Sequence, residues 1–178
     1  MSKSALLIID VQEAMYAYPN KYPFQGNLVL DNVKSLLERA RASGIPVVFV
    51  QHTAEKEFAK GSKTWKICEE ISPLDGETVV EKPAWDAFHD TGLHEVLQGL
   101  GISKLIISGL QTELSIDSTC RRAYSMGYDT ILAEDAHTTF ESRIMPAGQI
   151  LDHHNDLLSG RFVRLKTTQE LLDAEFEV

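Results

Sequence analysis

Residues 106–120 read Ile-Ile-Ser-Gly-Leu-Gln-Thr-Glu-Leu-Ser-Ile-Asp-Ser-Thr-Cys, a pattern typical of a buried strand, a glycine break and then a helix. A side chain at such a junction lies at the carboxyl edge of a parallel sheet and at the positive end of a helix. Backbone N–H groups and the helix dipole stabilise negative charge there, so nucleophiles and anion sites recur at this place. Ser115 occupies the junction and is the first candidate for a functional residue.

The same alternation of strand and helix patterns runs through the rest of the chain. Short apolar runs predict strands at 6–10, 46–50, 78–80, 105–107, 130–133 and 162–165. Helical spacing of apolar residues predicts helices at 28–40, 93–100, 116–126, 144–158 and 169–174. Strands separated by helices form βαβ units, which require a parallel sheet with helices on both faces. The predicted fold class is therefore α/β, a three-layer αβα sandwich around a parallel sheet of about six strands, with residues 1–178 as a single domain.

Composition narrows the class of function. The chain has 178 residues, of which 43% are hydrophobic and 24% charged, which is ordinary for a globular domain. Its formal net charge of −9 argues against binding to nucleic acid or anionic membranes, because both need basic patches. No apolar run is long enough to cross a bilayer, and no secretory signal opens the chain. With only two cysteines and no zinc-type spacing, we expect a reduced, cytoplasmic setting.

Glycine-rich phosphate fingerprints are absent from the sequence. No GxGxxG follows the first predicted strand, and no GxxxxGK[ST] occurs anywhere. A nucleotide cofactor is therefore not expected, and the predicted partner is a small-molecule substrate.

Three polar residues follow predicted strand ends and so converge on one edge of the sheet: Asp10, Lys82 and Ser115. Taken singly, Asp10 is equally well a turn or helix cap, Lys82 a solvated lysine, and Ser115 a first-turn capping residue. Together they place an acid, a cation and a hydroxyl side by side, which is typical of a catalytic triad.

Four segments carry a resemblance to a known family. Residues 7–12 (Leu-Ile-Ile-Asp-Val-Gln), 80–88 (Val-Glu-Lys-Pro-Ala-Trp-Asp-Ala-Phe), 109–112 (Gly-Leu-Gln-Thr) and 150–155 (Ile-Leu-Asp-His-His-Asn) resemble the isochorismatase-like cysteine hydrolase superfamily. The resemblance covers nearly the whole chain and implies a six-stranded parallel sheet. It also implies hydrolysis of amides and ureides, or of the vinyl ether of isochorismate.

The resemblance assigns roles to the three strand-end residues and their neighbours. Asp10 is the implied general base, Lys82 supports it electrostatically, and residue 115 holds the nucleophile. The implied oxyanion hole consists of the backbone N–H groups of Gln111 and Ser115. A cis peptide bond is implied between Leu110 and Gln111.

Ser115 departs from the family pattern, which has a cysteine at this position. A thiol at a helix start beside a lysine ionises readily, whereas a serine without a histidine base does not. Three interpretations stay open: an engineered, inactivating Cys→Ser change, a natural variant that works without a covalent intermediate, or a non-catalytic binding or scaffold protein. The leading hypothesis is a C–N hydrolase of a small amide or ureide that forms an acyl-enzyme. The alternative enzyme is a non-covalent vinyl-ether hydrolase.

A set of residues near the triad is predicted to line the substrate pocket. These residues are Gln12, Tyr16, Phe24, Trp85, Phe88 and His137. The aromatic residues among them also suit a subunit interface, and His137 also suits simple loop hydrogen bonding. We further expect a homo-oligomer, a dimer or tetramer, from the apolar and aromatic loops 16–24 and 65–71.

A metal site is not expected. Some amidases of the superfamily bind a divalent ion through an Asp-x-His pattern after the second strand, whereas residues 50–53 here read Val-Gln-His-Thr. The adjacent His153 and His154 point about 100° apart on a helix and do not chelate one ion.

Overall fold

A computed structural model describes residues 3–18 and 20–174 of the chain. Its centre is a six-stranded sheet in the order β3-β2-β1-β4-β5-β6, and every neighbouring pair is parallel. The strands are β1 (Lys3–Ile9), β2 (Val47–His52), β3 (Thr78–Lys82), β4 (Ile102–Leu110), β5 (Asp129–Thr138) and β6 (Arg164–Lys166). The α/β prediction with about six parallel strands is confirmed.

Helices cover both faces of this sheet. They are α1 (Glu13–Tyr16), α2 (Gly26–Ala42), α3 (Leu93–Gly99), α4 (Asp117–Ser125), α5 (Ala147–Leu158) and α6 (Thr168–Asp173). Two short 3-10 helices, Lys56–Phe58 and Glu69–Ile71, lie between β2 and β3, and a π-helical turn, Thr112–Ile116, precedes α4. Within the described residues, no helix has the length and apolar composition needed to cross a membrane.

Two apolar layers separate the helices from the sheet, because successive strand residues point to opposite faces. On β1, Leu7 packs in the layer that contains residues of α3, α4 and α5, whereas its neighbours Leu6 and Ile8 pack in the layer formed with α2 and α6. The two clusters together make the three-layer arrangement.

The strand order decides where the candidate site forms. From β1 the chain moves outward to β2 and β3, then returns to place β4 on the other side of β1. The connections leaving β1 and β4 therefore diverge at their carboxyl ends, and a crevice opens between them. Asp10 follows β1 directly, and Ser115 lies in the turn that follows β4.

Several strands extend further than the apolar runs predict. β3 continues to Lys82, which pairs with His52, and β5 continues to Thr138, so that His137 pairs with Gly109. These polar residues keep strand geometry because the neighbouring strand continues the ladder beside them. Periodicity of apolar residues cannot detect such extensions.

Candidate active site

Asp10, Lys82 and Ser115 meet at the crevice and are all buried. The Ser115 hydroxyl donates to Asp10 Oδ2 over 2.7 Å and accepts from Lys82 Nζ over 3.0 Å. The Lys82 ammonium also forms an ion pair of 2.8 Å with Asp10 Oδ2. The structure therefore brings the three strand-end residues into direct mutual contact.

The hydrogen bonds of this triad are complete on the lysine and incomplete on the aspartate. Lys82 Nζ has a third short contact, 2.8 Å to the carbonyl oxygen of Ala84, so each of its three protons has an acceptor. Asp10 Oδ1, by contrast, is buried and has no hydrogen-bond partner among the described residues. A buried carboxylate oxygen without a partner is costly and points to a group that binds or reacts there.

Burial dominates the protonation of the titratable groups around the triad. It raises the pKa of Asp10, while the nearby Lys82 ammonium and the hydrogen bonds from Lys82 and Ser115 act in the opposite direction. Burial, followed by repulsion from Lys82, lowers the pKa of His52, whose Nδ1 lies 3.5 Å from Lys82 Nζ. A carboxylate whose pKa is raised takes up a proton more readily, which suits a general base.

The backbone beneath Asp10 is unusual at two positions. Asp10 itself has a φ of 53°, a left-handed conformation that few residues other than glycine adopt. On the neighbouring strand Gly109 has a φ of 123°, and a Cβ there would lie 1.9 Å from the carbonyl oxygen of Ile9. Only glycine lets the two backbones approach this closely, so the glycine break in the sequence is a packing requirement at the site.

The turn that carries Ser115 is π-helical, spanning Thr112–Ile116. The peptide bond between Leu110 and Gln111 is cis, at the position that the family resemblance implies. The Gln111 carbonyl oxygen accepts from the N–H groups of both Leu114 and Ile116. The turn therefore bends tightly around Gln111 and directs Ser115 back towards β1.

A cavity of about 350 Å³ lies beside the triad. Its lining residues are Ala14, Met15, Tyr18, Asn20, Lys21, Glu57, Phe58, Gln111 and Phe140. Gln111 connects the cavity to the Ser115 turn, and the ring of Phe58 packs edge-on against His52, which neighbours Lys82. The cavity is thus lined by neighbours of the triad, not by Asp10, Lys82 or Ser115 themselves, and it has the size of a small-molecule site.

Two of the predicted pocket residues lie next to the triad, and both are occupied by contacts within the chain. Gln12 is fully buried and clamps two loops, with its amide nitrogen donating to the carbonyl oxygens of His52 and Trp65 and its amide oxygen accepting from the His52 N–H. It holds the loop after β2 rather than facing the cavity. Trp85 stacks on His52 at 5.3 Å, with its ring 5.9 Å from Lys82 Nζ.

The other four predicted pocket residues lie away from this cavity. Phe88 packs in the apolar core, and Tyr16 packs beside Tyr22 against the layer under α2. Phe24 and His137 line a second cavity of about 300 Å³ against α5. For the three aromatic residues the reason is the same: closeness in sequence to a triad residue does not decide which way a ring packs. His137 differs, because β5 extends beyond its apolar run and holds His137 in the sheet beside Gly109.

Sequence reasoning missed the residues that do line the first cavity. Lys21, Phe58 and Phe140 come from three separate loops, none of which has a periodic pattern. His52 was also missed as a neighbour of Lys82, although its place at the end of the second strand was a usable signal.

One group of metal-type ligand atoms occurs within the described residues, formed by Glu13, Cys68 and Glu70, whose ligand atoms lie within 4.8 Å of one another. Burial strongly raises the pKa of the Cys68 thiol, which opposes the thiolate form that binds metals. Glu13 is already used as an acceptor for the N–H of Glu69 over 3.3 Å. This group lies outside the triad and the first cavity, and we assign it no metal.

Comparison with known proteins identifies the family. The model of the isochorismatase domain matches residues 4–148. The chain belongs to the isochorismatase family. It is 31% identical over 177 residues to the isochorismatase family protein YddQ of Bacillus subtilis, covering 95% of this chain and 98% of that one.

Named relatives of this isochorismatase-family hydrolase cover different shares of its length. Streptothricin hydrolase of Streptomyces noursei is 33% identical over 80% of this chain and 52% of its own length. Ureidoacrylate amidohydrolase of Yersinia enterocolitica is 27% identical over 76% of this chain and 75% of its own. The crystal structure of an isochorismatase from Pseudomonas putida superposes with a TM-score of 0.87 at 32% identity, covering 93% of this chain and 88% of that one.

Proposed function

We propose that this protein hydrolyses a C–N bond of a small amide or ureide, with residue 115 as the attacking group. The observation that carries the proposal is the pair of hydrogen bonds at Ser115 Oγ, donated to Asp10 and accepted from Lys82. A carboxylate that already accepts a hydrogen bond from this hydroxyl is placed to take its proton when the oxygen attacks a carbonyl carbon.

The proposed reaction has two halves that use the same carboxylate. Ser115 Oγ attacks the carbonyl carbon, its proton passes to Asp10, and the N–H groups of Gln111 and Ser115 bind the oxyanion. The C–N bond breaks as Asp10 returns the proton to the leaving nitrogen, which leaves an ester on Ser115. Asp10 then takes a proton from water as the water oxygen attacks the ester carbon. The bond from that carbon to Ser115 Oγ breaks as Asp10 returns the proton to Oγ, and the free acid departs. The Lys82 ammonium stabilises negative charge on Asp10 Oδ2 and on Ser115 Oγ in both halves of the reaction.

The walls of the first cavity support a particular class of substrate. Phe58 and Phe140 offer apolar faces to a flat molecular body. The Lys21 ammonium lies 5.6 Å from the Phe140 ring centroid, and no carboxylate of the described residues lies within ion-pair distance of it. We therefore propose a small amide or ureide that also carries a carboxylate. A ureidoacrylate amidohydrolase among the relatives is consistent with this class.

A second candidate function rests on Asp10 Oδ1. This oxygen has no partner among the described residues, and burial raises the pKa of the carboxyl group. A protonated Asp10 can give its proton to the carbon of a vinyl ether, and water then adds without a covalent intermediate. This route does not need a nucleophile at residue 115.

Three forms of the protein separate these functions: the form with Ser115, Ser115→Cys and Ser115→Ala. Each is assayed against a panel of amides, ureides and isochorismate, with and without a carboxylate on the substrate. Under the proposed route, Ser115→Cys gains amide or ureide hydrolysis by orders of magnitude, because a thiol beside Lys82 ionises far more readily than a hydroxyl. Slow substrates then leave an acyl adduct on residue 115 that mass spectrometry detects.

The alanine variant decides between the routes. Loss of all activity in Ser115→Ala supports covalent catalysis, whereas retained isochorismate hydrolysis supports the vinyl-ether route. If all three forms are inert across the panel, both enzymatic proposals are overturned and a non-catalytic binding role gains support.

We also propose that the protein forms homo-oligomers in a cytoplasmic setting. The aromatic residues Tyr18 and Tyr22 are exposed, as is Leu28 at the start of α2. The second loop that motivated this expectation gives less support, because Ile71 is buried within its own chain. Light scattering at assay concentrations tests the proposal, and a purely monomeric protein would contradict it.

A further inference from the structure

A series of hydrogen bonds connects the Ser115 turn to β5 and α5, on the side of β4 that faces away from β1. The hydroxyl of Thr112 lies 2.9 Å from His137 Nδ1, and His137 Nε2 lies 2.9 Å from Asn155 Oδ1. Thr112 is the first residue of the π-helical turn, whereas His137 belongs to β5 and Asn155 to α5. Thr112 and His137 are fully buried.

The donor and the acceptor of each hydrogen bond in this series follow from Asn155, its last residue. Asn155 Nδ2 donates to the carbonyl oxygen of Glu134 over 3.3 Å, so Asn155 must present its oxygen to His137. An oxygen acceptor requires a proton on His137 Nε2. In a neutral imidazole Nδ1 is then unprotonated, and the Thr112 hydroxyl donates to it.

The surroundings keep His137 neutral. Burial lowers the pKa of His137 to about 4, and the nearby His154 on α5 acts in the same direction. The hydrogen bond to Asn155 and the charge of Asp135 on β5 oppose this shift without cancelling it. At neutral pH the imidazole therefore holds one proton, on Nε2.

We propose that His137 is a positioning residue of the hydrolase site: as the neutral Nε2-protonated tautomer it holds Thr112, and through Thr112 it fixes the turn that presents Gln111 and Ser115. The effect on catalysis rests on the proposed function. The tautomer and the rigidity of the turn do not rest on it, and both are measurable without a substrate.

The hydrogen bond between Thr112 and His137 holds the Ser115 turn at a point away from its reacting groups. On one side, Ser115 is held by Asp10 and Lys82, which are the groups that exchange protons and charge in the proposed reaction. A turn held only by its reacting groups would shift whenever their bonds change. The bond from Thr112 to His137 anchors the turn to β5, and this anchor does not change during the reaction.

The first test is the tautomer of His137 in the protein with Ser115. Nitrogen-15 NMR distinguishes protonated from unprotonated ring nitrogens, and we expect His137 to carry its proton on Nε2 from pH 8 down to about pH 5. An Nδ1-protonated or doubly protonated ring at neutral pH overturns the proposal without any variant being made.

The second test measures the turn directly in a Ser115→Cys background. Thr112→Val removes the hydroxyl at nearly constant shape, whereas Thr112→Ser keeps it. Alkylation of residue 115 by iodoacetamide over a range of pH reports how well the thiol is placed beside Asp10 and Lys82, with the buried Cys68 and Cys120 as slow internal references. We expect alkylation to slow by about tenfold or more in Thr112→Val and to be preserved in Thr112→Ser.

Hydrogen exchange of the backbone amides of 112–116 accompanies this measurement. Faster exchange in Thr112→Val, with parental exchange in Thr112→Ser, is the expected result. If Thr112→Val fails to fold, Asn155→Ala takes its place, because it removes the acceptor that fixes the tautomer. We then expect a larger share of Nδ1-protonated His137 and slower alkylation.

The outcomes are separable from those of the proposed function. Equal reactivity and equal exchange in the valine and serine variants overturn the positioning role, even if the enzyme hydrolyses amides. The protein can instead hydrolyse nothing in the panel and still show the Nε2-protonated tautomer and the ordered turn. That result supports the positioning role and overturns only the proposed reaction.

Discussion

Two buried polar clusters lie at the same edge of the sheet, one on each side of the Ser115 turn. The charged cluster consists of Asp10, Lys82 and Ser115. The second cluster, called the neutral chain, is the series of hydrogen-bonded side chains Thr112, His137 and Asn155. Both are held by short hydrogen bonds, yet the charged cluster leaves one carboxylate oxygen without a partner among the described residues. The neutral chain satisfies both ring nitrogens of His137. The charged cluster is therefore suited to react with a bound group, whereas the neutral chain is suited to hold the Ser115 turn in place.

Burial moves the pKa values in the two clusters in opposite directions for one reason. It disfavours the charged form of each group, so it raises the pKa of Asp10 and lowers that of His137. At Asp10 burial is opposed by the Lys82 ammonium and by the hydrogen bonds from Lys82 and Ser115. At His137 burial is opposed by the hydrogen bond to Asn155 and by the charge of Asp135, yet the pKa stays at about 4 and the ring is neutral.

The largest effect is expected at Gly109, which lies between the two clusters and pairs with both β1 and His137. In Gly109→Ala the new Cβ meets the Ile9 carbonyl oxygen, so we expect a loss of about 4 kcal/mol or more in the free energy of unfolding. Urea unfolding measures it. Gly127→Ala is the matched control, because Gly127 also has a positive φ but its Cβ would meet nothing within 4 Å. We expect it to cost only about 1–2 kcal/mol, and equal losses would contradict the packing argument.

Breaking the charged cluster should affect activity most. Asp10→Asn removes the proposed base, and we expect kcat/KM to fall by about 1,000-fold in whichever residue-115 form is most active. The same change leaves the buried Lys82 without its carboxylate and should cost about 3 kcal/mol of stability.

A double variant separates these two effects. Asp10→Asn combined with Lys82→Met removes the stranded cation, so stability should return while activity stays lost. Near-parental turnover in Asp10→Asn would remove Asp10 from the mechanism, and a double variant less stable than the single one would contradict the buried-charge argument.

In the neutral chain, His137 should make the free energy of unfolding depend on pH. The pKa of His137 falls from about 6.5 in the unfolded chain to about 4 in the folded one, so the unfolded state binds the extra proton. Its contribution of about 3 kcal/mol is complete above pH 6.5 and is lost as the pH falls towards 4. Urea unfolding of the parental protein and of His137→Gln at several pH values isolates this contribution, since the other titrating groups are common to both. His153→Gln, on the exposed face of α5, is the control and should keep the parental slope.

The smallest effect is expected at the rim of the first cavity, outside both clusters. Lys21→Met should raise KM about fivefold for substrates with a carboxylate and leave their kcat unchanged, because an exposed ion pair contributes little. Neutral analogues should show no change. Glu57→Gln changes the other charged residue of the same cavity wall and should not raise KM for the anionic substrates. An equal effect of Lys21→Met on neutral and anionic substrates would contradict the proposed substrate class.

The sequence predicted the charged cluster and missed the neutral chain, for a reason visible in the strands. Asp10 directly follows the apolar run of β1, and Ser115 lies at the start of the helical pattern after the glycine break that follows β4, so local patterns locate both. His137 lies several residues beyond the apolar run of β5, in a part of the strand held by pairing with β4. Its role depends on Thr112 and Asn155, which are distant in sequence and reach it only through the packing of the turn and α5.

The aromatic residues divide in the same way. Phe24 and Phe88 were predicted for the pocket from their closeness to the triad in sequence, yet they pack against α5 and in the core. Phe58 and Phe140, which do line the first cavity, lie in loops without periodicity. Local patterns identify which residues are apolar, but the folding of a loop decides what each ring faces.

The sequence by itself determined the parallel α/β sheet, the strand ends that bear Asp10 and Lys82, and the place of the glycine break after β4. These follow from periods of two and of about 3.6 residues and from the conformational freedom of glycine, all of which are local. Only the tertiary structure decided the close approach of β1 and β4 at Gly109, the contact of His52 with Lys82, the bonds that orient His137 and the loops that form the cavity. Each of these depends on partners far apart in the sequence, so no local pattern specifies it.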